Sequence, residues 1–242
     1  MTSPRWILLP GLDGSGRLFT PFLECLGDVD AVVVRYPDDL AADLDAYAKH
    51  AATAIGEAGR CLIVAESFSG PVALRLQRLD PRVEAIVLVA SFVRCPHPLL
   101  RVLPISLVTA LARRTAFRLA LRMSCLGRDA SDDRVDALRD VVRALPAATL
   151  SARLALLRTL DESAALCATH LPLLHLRARR DRLVRVPIVR DARPASLHEV
   201  VVDGPHFLLQ ACPQACLEAI AAWAAHGIGG NDGGRTLRLH PD

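Results

Sequence analysis

The sequence predicts an α/β fold with a mostly parallel, doubly wound sheet. Two observations carry this prediction: short apolar, β-branched runs recur along the chain, and longer segments with helical spacing separate several of them. Continuous apolar runs are typical of strands buried on both faces of a parallel sheet. A β-α-β-α alternation is typical of right-handed crossovers in a doubly wound sheet. With 242 residues, 52% of them apolar, the chain is long enough for one well-filled core.

The predicted elements follow in order along the chain. Helical spacing after an Asp predicts a helix over residues 38–58, and a second helix is predicted over 71–79. The predicted strands are WILLP (6–10), AVVVRY (31–36), CLIVA (61–65), AIVLVASF (85–92), LPLLHLRA (171–178) and LHEVVVD (197–203).

One long segment interrupts the alternation. Residues 94–160 carry only helical patterns, so we expect a helical cap inserted into an α/β core of residues 1–93 and 161–226. The apolar run 102–112 is too short to cross a bilayer, which needs about 20 residues. It packs either on the core or as a lid over a pocket, and the residues expected to face that pocket are Leu99, Leu100, Leu103, Leu107, Val108 and Leu111. Residues 227–242, rich in glycine, are predicted to form a flexible tail.

Composition excludes several classes of function. The 29 basic and 26 acidic residues are spread along the chain and give a net charge of +3, so we expect no nucleic-acid partner and no stable membrane insertion. The seven cysteines are odd in number and scattered, and Cys212 and Cys216 alone make a poor zinc site. We therefore expect reduced thiols, no metal and no cofactor. The first residues lack a signal-peptide pattern, which favours a cytoplasmic location, and nothing predicts an oligomeric state.

The segment VAESFSGPVAL (64–74) holds two candidate nucleophiles. In a nucleophile elbow, a serine lies on a sharp strand-to-helix turn that requires small residues two positions before and two after it. Ser67 meets this requirement with Ala65 and Ser69, whereas Ser69 would place Pro71 at the second small position. The usual glycines of G-x-S-x-G are absent, and serine also caps helices without any catalytic role. Ser67 is the better candidate of the two.

The first strand leads into a glycine-rich loop, LLPGLDGSGRLF (8–19). Gly11, Gly14 and Gly16 allow the backbone to bend close to a substrate and to turn its amides inward. An oxyanion hole takes its second donor from this place in such folds. A phosphate loop is the alternative, but the spacing G-x-x-G-x-G lacks the order and the Lys-Ser/Thr ending of nucleotide-binding motifs.

An acid and a histidine follow the last two predicted strands. Asp181 comes after the strand that ends near Ala178, at the edge where parallel sheets present their sites. His206 follows the last strand after a Gly-Pro turn, and the chain order Ser, Asp, His suits this architecture. Asp161 and Asp203 remain alternative acids.

The motifs LPGLDGSG, AESFSG, RRDRLV and GPHFLLQ, in this order, resemble the α/β-hydrolase superfamily over about residues 5–226. Within it, the chain is similar to small bacterial serine hydrolases with PGxDG near the N-terminus. The resemblance implies that Ser67 is the nucleophile, His206 the general base and acid, and Asp181 the group that orients His206. It also implies an oxyanion hole formed by the backbone N–H groups of Leu12 and Phe68. The residues expected to bind substrate are Gly11, Asp13 and Phe207.

The expected function is hydrolysis of a carboxylic ester or thioester through an acyl-enzyme. The apolar cap favours a small-molecule substrate with a hydrophobic acyl or alcohol part. Two alternatives stay open: an acyltransferase that uses an alcohol acceptor, and a non-catalytic binding protein that keeps the fold.

Overall fold

A computed structural model describes residues 3–225 except 58, 113, 115–120, 129, 186–187, 189–193 and 195, and its centre is a six-stranded parallel sheet. The predicted fold class is confirmed, and each predicted strand segment overlaps an observed strand. The strands lie in the order β2-β1-β3-β4-β5-β6. Their bounds are β1 (Arg5–Leu9), β2 (Ala31–Val33), β3 (Cys61–Glu66), β4 (Val83–Val89), β5 (Leu173–Ala178) and β6 (Leu197–Val202).

The central strand β3 is apolar along most of its length because both faces of the sheet are covered there. In β3, Ile63 packs in the hydrophobic cluster on one face, and its neighbours Leu62 and Val64 pack in the cluster on the other face. All three are fully buried. Successive side chains of a strand point to opposite faces, so a strand between two helical layers needs an apolar residue at every position.

The chain changes direction across the sheet at β1. It runs from β1 outward to β2, and then returns to β3 on the other side of β1. The loops at the carboxyl ends of β1 and β3 therefore diverge and leave a crevice between them. In open α/β sheets, ligands bind in a crevice of this kind.

One helix of the core is shorter than the sequence pattern predicts. The helix predicted over 38–58 runs only from Leu44 to Thr53, because the side chain of Asp43 accepts from the Ala46 N–H at 3.1 Å and caps it there. Leu40 instead packs on the core from a turn. The core helices are α1 (Thr20–Leu26), α2 (Leu44–Thr53), α3 (Ser69–Leu79), α8 (Ser163–Cys167), α9 (Leu208–Ala211) and α10 (Pro213–Ala225).

The excursion between β4 and β5 is helical where it is described. Its two ends run antiparallel: the Cys95 N–H donates to the Leu160 carbonyl at 3.1 Å, and the Glu162 N–H donates to the Val93 carbonyl at 2.7 Å. Its elements are α4 (Pro98–Val102), α5 (Ile105–Ala112), a π-helical turn (Arg122–Leu126), α6 (Asp132–Ala144) and α7 (Ala147–Arg158). We refer to residues 94–160 as the cap.

Among the described helices, none combines the length and the apolar character needed to cross a membrane. The predicted tail, residues 227–242, lies outside the described residues.

Candidate active site

Three of the predicted site residues follow three different strands and meet at the carboxyl edge of the sheet. Ser67 follows β3, Asp181 follows β5, and His206 follows β6. Parallel strands bring these chain-distant positions to one edge, where side chains from separate loops converge.

Ser67 lies on a strained turn between β3 and α3. Its φ of 48° is in the left-handed region, which non-glycine residues adopt at a cost of order 1–3 kcal/mol. The turn is held from both sides: the Ser67 N–H donates to the Val89 carbonyl at 2.9 Å, and the Ser91 hydroxyl donates to the Ser67 carbonyl at 2.7 Å. Gly70 leaves room for this support, since a Cβ there would lie 1.8 Å from the Ser91 Oγ.

A hydrogen-bonded chain links the three side chains. The His206 Nε2 lies 3.0 Å from the Ser67 Oγ, and the His206 Nδ1 lies 2.7 Å from the Asp181 Oδ2. An ionised carboxylate only accepts hydrogen bonds, so Nδ1–H is the donor to Asp181. In the neutral imidazole, Nε2 is then the acceptor that faces the serine hydroxyl.

Asp181 is held as a carboxylate. Burial alone would raise its pKa, but the hydrogen bond and charge of His206, together with the N–H groups of Val184 and Leu183, bring the pKa below its ordinary value. Those two N–H groups donate to Oδ1 at 2.9 and 2.8 Å. The backbone therefore holds Oδ1 in place, and Oδ2 is left to accept the hydrogen bond from His206.

The two alternative acids lie elsewhere. Asp161 accepts from the Ser163 N–H at 3.0 Å and pairs with Arg94. Asp203 pairs with Arg180 at 3.4 Å, with both side chains more than half exposed. Of the three candidates, the structure brings only Asp181 to His206.

The loop after β1, residues 10–16, passes beside Ser67, and we refer to it as the β1 loop. A Cβ on Gly11 would lie 4.0 Å from the Ser67 Cβ. The Gly14 N–H donates to the Gly11 carbonyl at 3.1 Å, and because a trans peptide directs its C=O and N–H oppositely, the Leu12 N–H faces away from this turn. Among the described residues, neither the Leu12 N–H nor the Phe68 N–H has an acceptor.

Ser69 does more than provide a small side chain, which is the role expected of it. Its hydroxyl, fully buried, donates to the Pro10 carbonyl. That leaves the Tyr36 O–H as the donor to the Ser69 Oγ, at 2.8 Å. The elbow and the β1 loop are thus joined through this hydroxyl, which the motif pattern does not reveal.

Arg153 of the cap, also missed at the sequence level, reaches the same loop. Its side chain is fully buried, and its Nη1 donates to the carbonyls of Leu12 and Asp13 at 2.9 and 2.8 Å. Its Nε donates to the Tyr47 hydroxyl at 3.0 Å. A single arginine among the 29 basic residues gives no sequence signal for such a contact.

An apolar cavity of about 340 Å³ lies between the edge of the sheet and the cap. The predicted site residues Gly11, Leu12, Asp13, Phe68 and Phe207 line it beside Ser67 and His206. Of the cap residues expected to face it, Leu107 and Leu111 do not, because they lie on the outer side of α5 and are 45% and 41% exposed. The cap residues that line it include Leu99, Leu100, Leu103, Val108, Leu138, Leu145, Leu150, Leu154 and Leu157.

A second carboxyl group lies buried directly before Ser67. Glu66 is 2% exposed, and burial raises its pKa to about 7. In the described part of the chain its Oε1 has no hydrogen-bond partner. The described residues contain no cluster of three His, Cys, Asp or Glu side chains arranged to hold a metal ion.

Comparison with solved structures assigns the fold. The chain is similar to an enol-lactonase from Burkholderia xenovorans LB400 (TM-score 0.74, 13% identity, 92% of each chain covered). It is also similar to an esterase from Exiguobacterium antarcticum (TM-score 0.75, 12% identity, 92% of each chain covered) and to a hydrolase from Pseudomonas aeruginosa PA01 (TM-score 0.75, 18% identity, 91% of this chain and 89% of that one). No family model and no curated protein matches the chain. The chain has the α/β-hydrolase fold.

Proposed function

We propose that this α/β-hydrolase-fold chain is a serine hydrolase that cleaves a carboxylic ester or thioester with a hydrophobic acyl or alcohol part. One observation carries the proposal: Ser67, His206 and Asp181 form a continuous hydrogen-bonded chain at the wall of an apolar cavity. A serine hydroxyl becomes a nucleophile when an adjacent base accepts its proton and a third group orients that base.

The proposed reaction proceeds through an acyl-enzyme. The Ser67 Oγ attacks the substrate carbonyl as its proton passes to the His206 Nε2, and Asp181 stabilises the imidazolium. The N–H groups of Leu12 and Phe68 donate hydrogen bonds to the tetrahedral oxyanion and stabilise its charge. His206 then gives its proton to the leaving alcohol or thiol. Water attacks the acyl-enzyme, with His206 as base, and the acid and free Ser67 result.

The cavity supports a hydrophobic substrate. Leucine and valine side chains form most of the cap side of its lining, whereas Asp13, Ser67 and His206 lie at the sheet edge. Removing apolar surface from water contributes roughly 25 cal/mol per Å². A hydrocarbon group larger than acetyl therefore gains binding free energy here that an acetyl group does not.

The proposal is tested with purified protein and a series of p-nitrophenyl esters from acetyl to dodecanoyl. We expect kcat/KM to rise with chain length until the cavity is filled, and Ser67→Ala to lower kcat by about a million-fold, as in other triads. Product analysis with a long-chain alcohol present detects acyl transfer to that acceptor. Hydrolysis that survives Ser67→Ala undiminished, or equal activity on acetyl and longer esters, would contradict the proposal.

A further inference from the structure

The loop that carries the proposed oxyanion donor is fixed by a residue of the cap. Arg153 lies on α7, about 140 positions along the chain from the loop after β1, yet it donates to two successive carbonyls of that loop, those of Leu12 and Asp13. Gly14 packs directly against the guanidinium, because a Cβ there would lie 2.4 Å from Nη1. The loop is thus shaped around this side chain.

The guanidinium is buried without a neutralising acid. Its side chain has no exposed surface, and among the described residues no carboxylate pairs with it. Its neighbours are carbonyls, the Tyr47 hydroxyl, and the rings of Tyr36 and Tyr47, whose centroids lie 6.0 and 5.6 Å from Cζ. Burying a charge without a counter-charge is costly, so packing alone gives no reason for an arginine here. Its planar fork of donors suits two adjacent carbonyls.

The position of these carbonyls decides where the loop amides point. The Leu12 carbonyl is held by Arg153, and the Gly11 carbonyl is held by the Gly14 N–H at 3.1 Å. Leu12 N–H lies between these two fixed carbonyls along the chain. An oxyanion donor acts only when it is preorganised at the position the oxyanion will occupy.

We propose that Arg153 is a positioning residue for the oxyanion hole: it holds the Leu12 amide in place from the cap. The inference rests on the proposed function. Arg153 touches neither substrate nor reacting atoms and acts through the loop. Leu150, Leu154 and Leu157 of the same helix line the cavity. The helix α7 therefore forms part of the cavity wall and also holds the β1 loop.

The test compares Arg153→Met and Arg153→Lys with Thr149→Val, in the full chain. Thr149 is the matched control because its hydroxyl also ties α7 to the core, donating to the Asp38 carbonyl at 2.9 Å, without contacting the β1 loop. For each variant we measure kcat, KM, the melting temperature, and the inhibition constant of a trifluoromethyl ketone, which forms an oxyanion adduct with an active serine.

We expect Arg153→Met to lower kcat by about tenfold to a hundredfold, the size of effect that small misplacement of a reacting geometry produces. KM should stay within about twofold, since interactions made only in the transition state affect kcat. The inhibition constant should rise by the same factor by which kcat/KM falls. Arg153→Lys, which cannot reproduce the planar fork, should also lose kcat, and it provides the test if the methionine variant does not fold. Thr149→Val should keep wild-type kcat.

Wild-type kcat and inhibition constant in either folded Arg153 variant would overturn the inference, and leave Ser67-dependent hydrolysis intact. Absence of Ser67-dependent hydrolysis in the wild type would instead remove the proposed function, and the inference with it. The two failures are therefore distinguishable in the same set of measurements.

Discussion

The edge of the sheet and the cap differ in how they contribute to the site. At the sheet edge, Ser67 and Asp181 are fixed by backbone hydrogen bonds at the ends of strands, and His206 lies between them. The cap contributes apolar walls. Its described residues also make two polar contacts with the site: Arg153 donates to the β1 loop, and the Cys125 carbonyl accepts from the Phe207 N–H at 3.0 Å. Under the proposed function, the sheet edge carries out the chemistry and the cap selects the substrate.

The largest effect expected in this comparison comes from Asp181→Asn, at the sheet edge. The amide cannot reproduce the carboxylate that orients His206, so kcat should fall about ten-thousand-fold, as in other triads. Steady-state kinetics on a p-nitrophenyl ester measure this loss. Asp161→Asn and Asp203→Asn are the matched controls and should stay near wild type. A larger loss in either control than in Asp181→Asn would move the acid to that position.

The support beneath the elbow should be sensitive to a single methyl group. In Gly70→Ala the new Cβ would overlap the Ser91 Oγ that holds the Ser67 carbonyl. Overpacking of this kind lowers the free energy of unfolding by about 1–3 kcal/mol, which urea denaturation measures. Gly59→Ala is the control, because a Cβ there would meet nothing within 4 Å. Equal stability of the two variants would show that the elbow tolerates a shift of Ser91.

The cap should change preference for acyl length without changing the chemistry. Leu154→Trp places a larger side chain in the cavity, so kcat/KM for the longest esters should fall about tenfold, while that for acetyl stays within about twofold. Leu107→Trp, on the exposed side of α5, should leave the chain-length profile unchanged. A uniform loss on all esters in Leu154→Trp would argue against a role of the cap in substrate choice.

Glu66→Gln should show a pH-dependent gain of stability relative to wild type. Burial raises the pKa of Glu66 to about 7 from an ordinary value of 4.5, so the folded state binds the proton more tightly and loses stability as the pH rises through that window. Glutamine does not titrate. The variant should therefore gain roughly 2–3 kcal/mol relative to wild type between pH 5 and pH 8, measured as the unfolding free energy at both pH values. A difference independent of pH would mean that Glu66 does not titrate in this range.

The sheet and the three-residue chain were accessible from sequence because their signals are local. Buried strands are rich in apolar residues, and an elbow requires small neighbours, so the strand CLIVA and Ser67 between the small residues Ala65 and Ser69 could be identified without a structure. The choice of Asp181 over Asp161 and Asp203 needed the distances to His206, which chain order does not supply.

The contacts that hold the β1 loop could not be predicted from the sequence, because they join distant segments through single side chains. Arg153 lies about 140 positions from Leu12, and a lone arginine on a helix is typical of a solvated face. Leu107 and Leu111 were expected to face the cavity but lie on the exposed side of their helix. Local periodicity does not determine which face of a short helix meets the cavity.

The central claim is that Ser67 is activated by His206 and Asp181. Labelling of the folded protein with a fluorophosphonate, followed by peptide mass mapping, tests it most directly. We expect one adduct, on Ser67, that is absent in Ser67→Ala and forms far more slowly in His206→Gln. An adduct that persists in Ser67→Ala, or a folded wild-type protein that takes none, would contradict it.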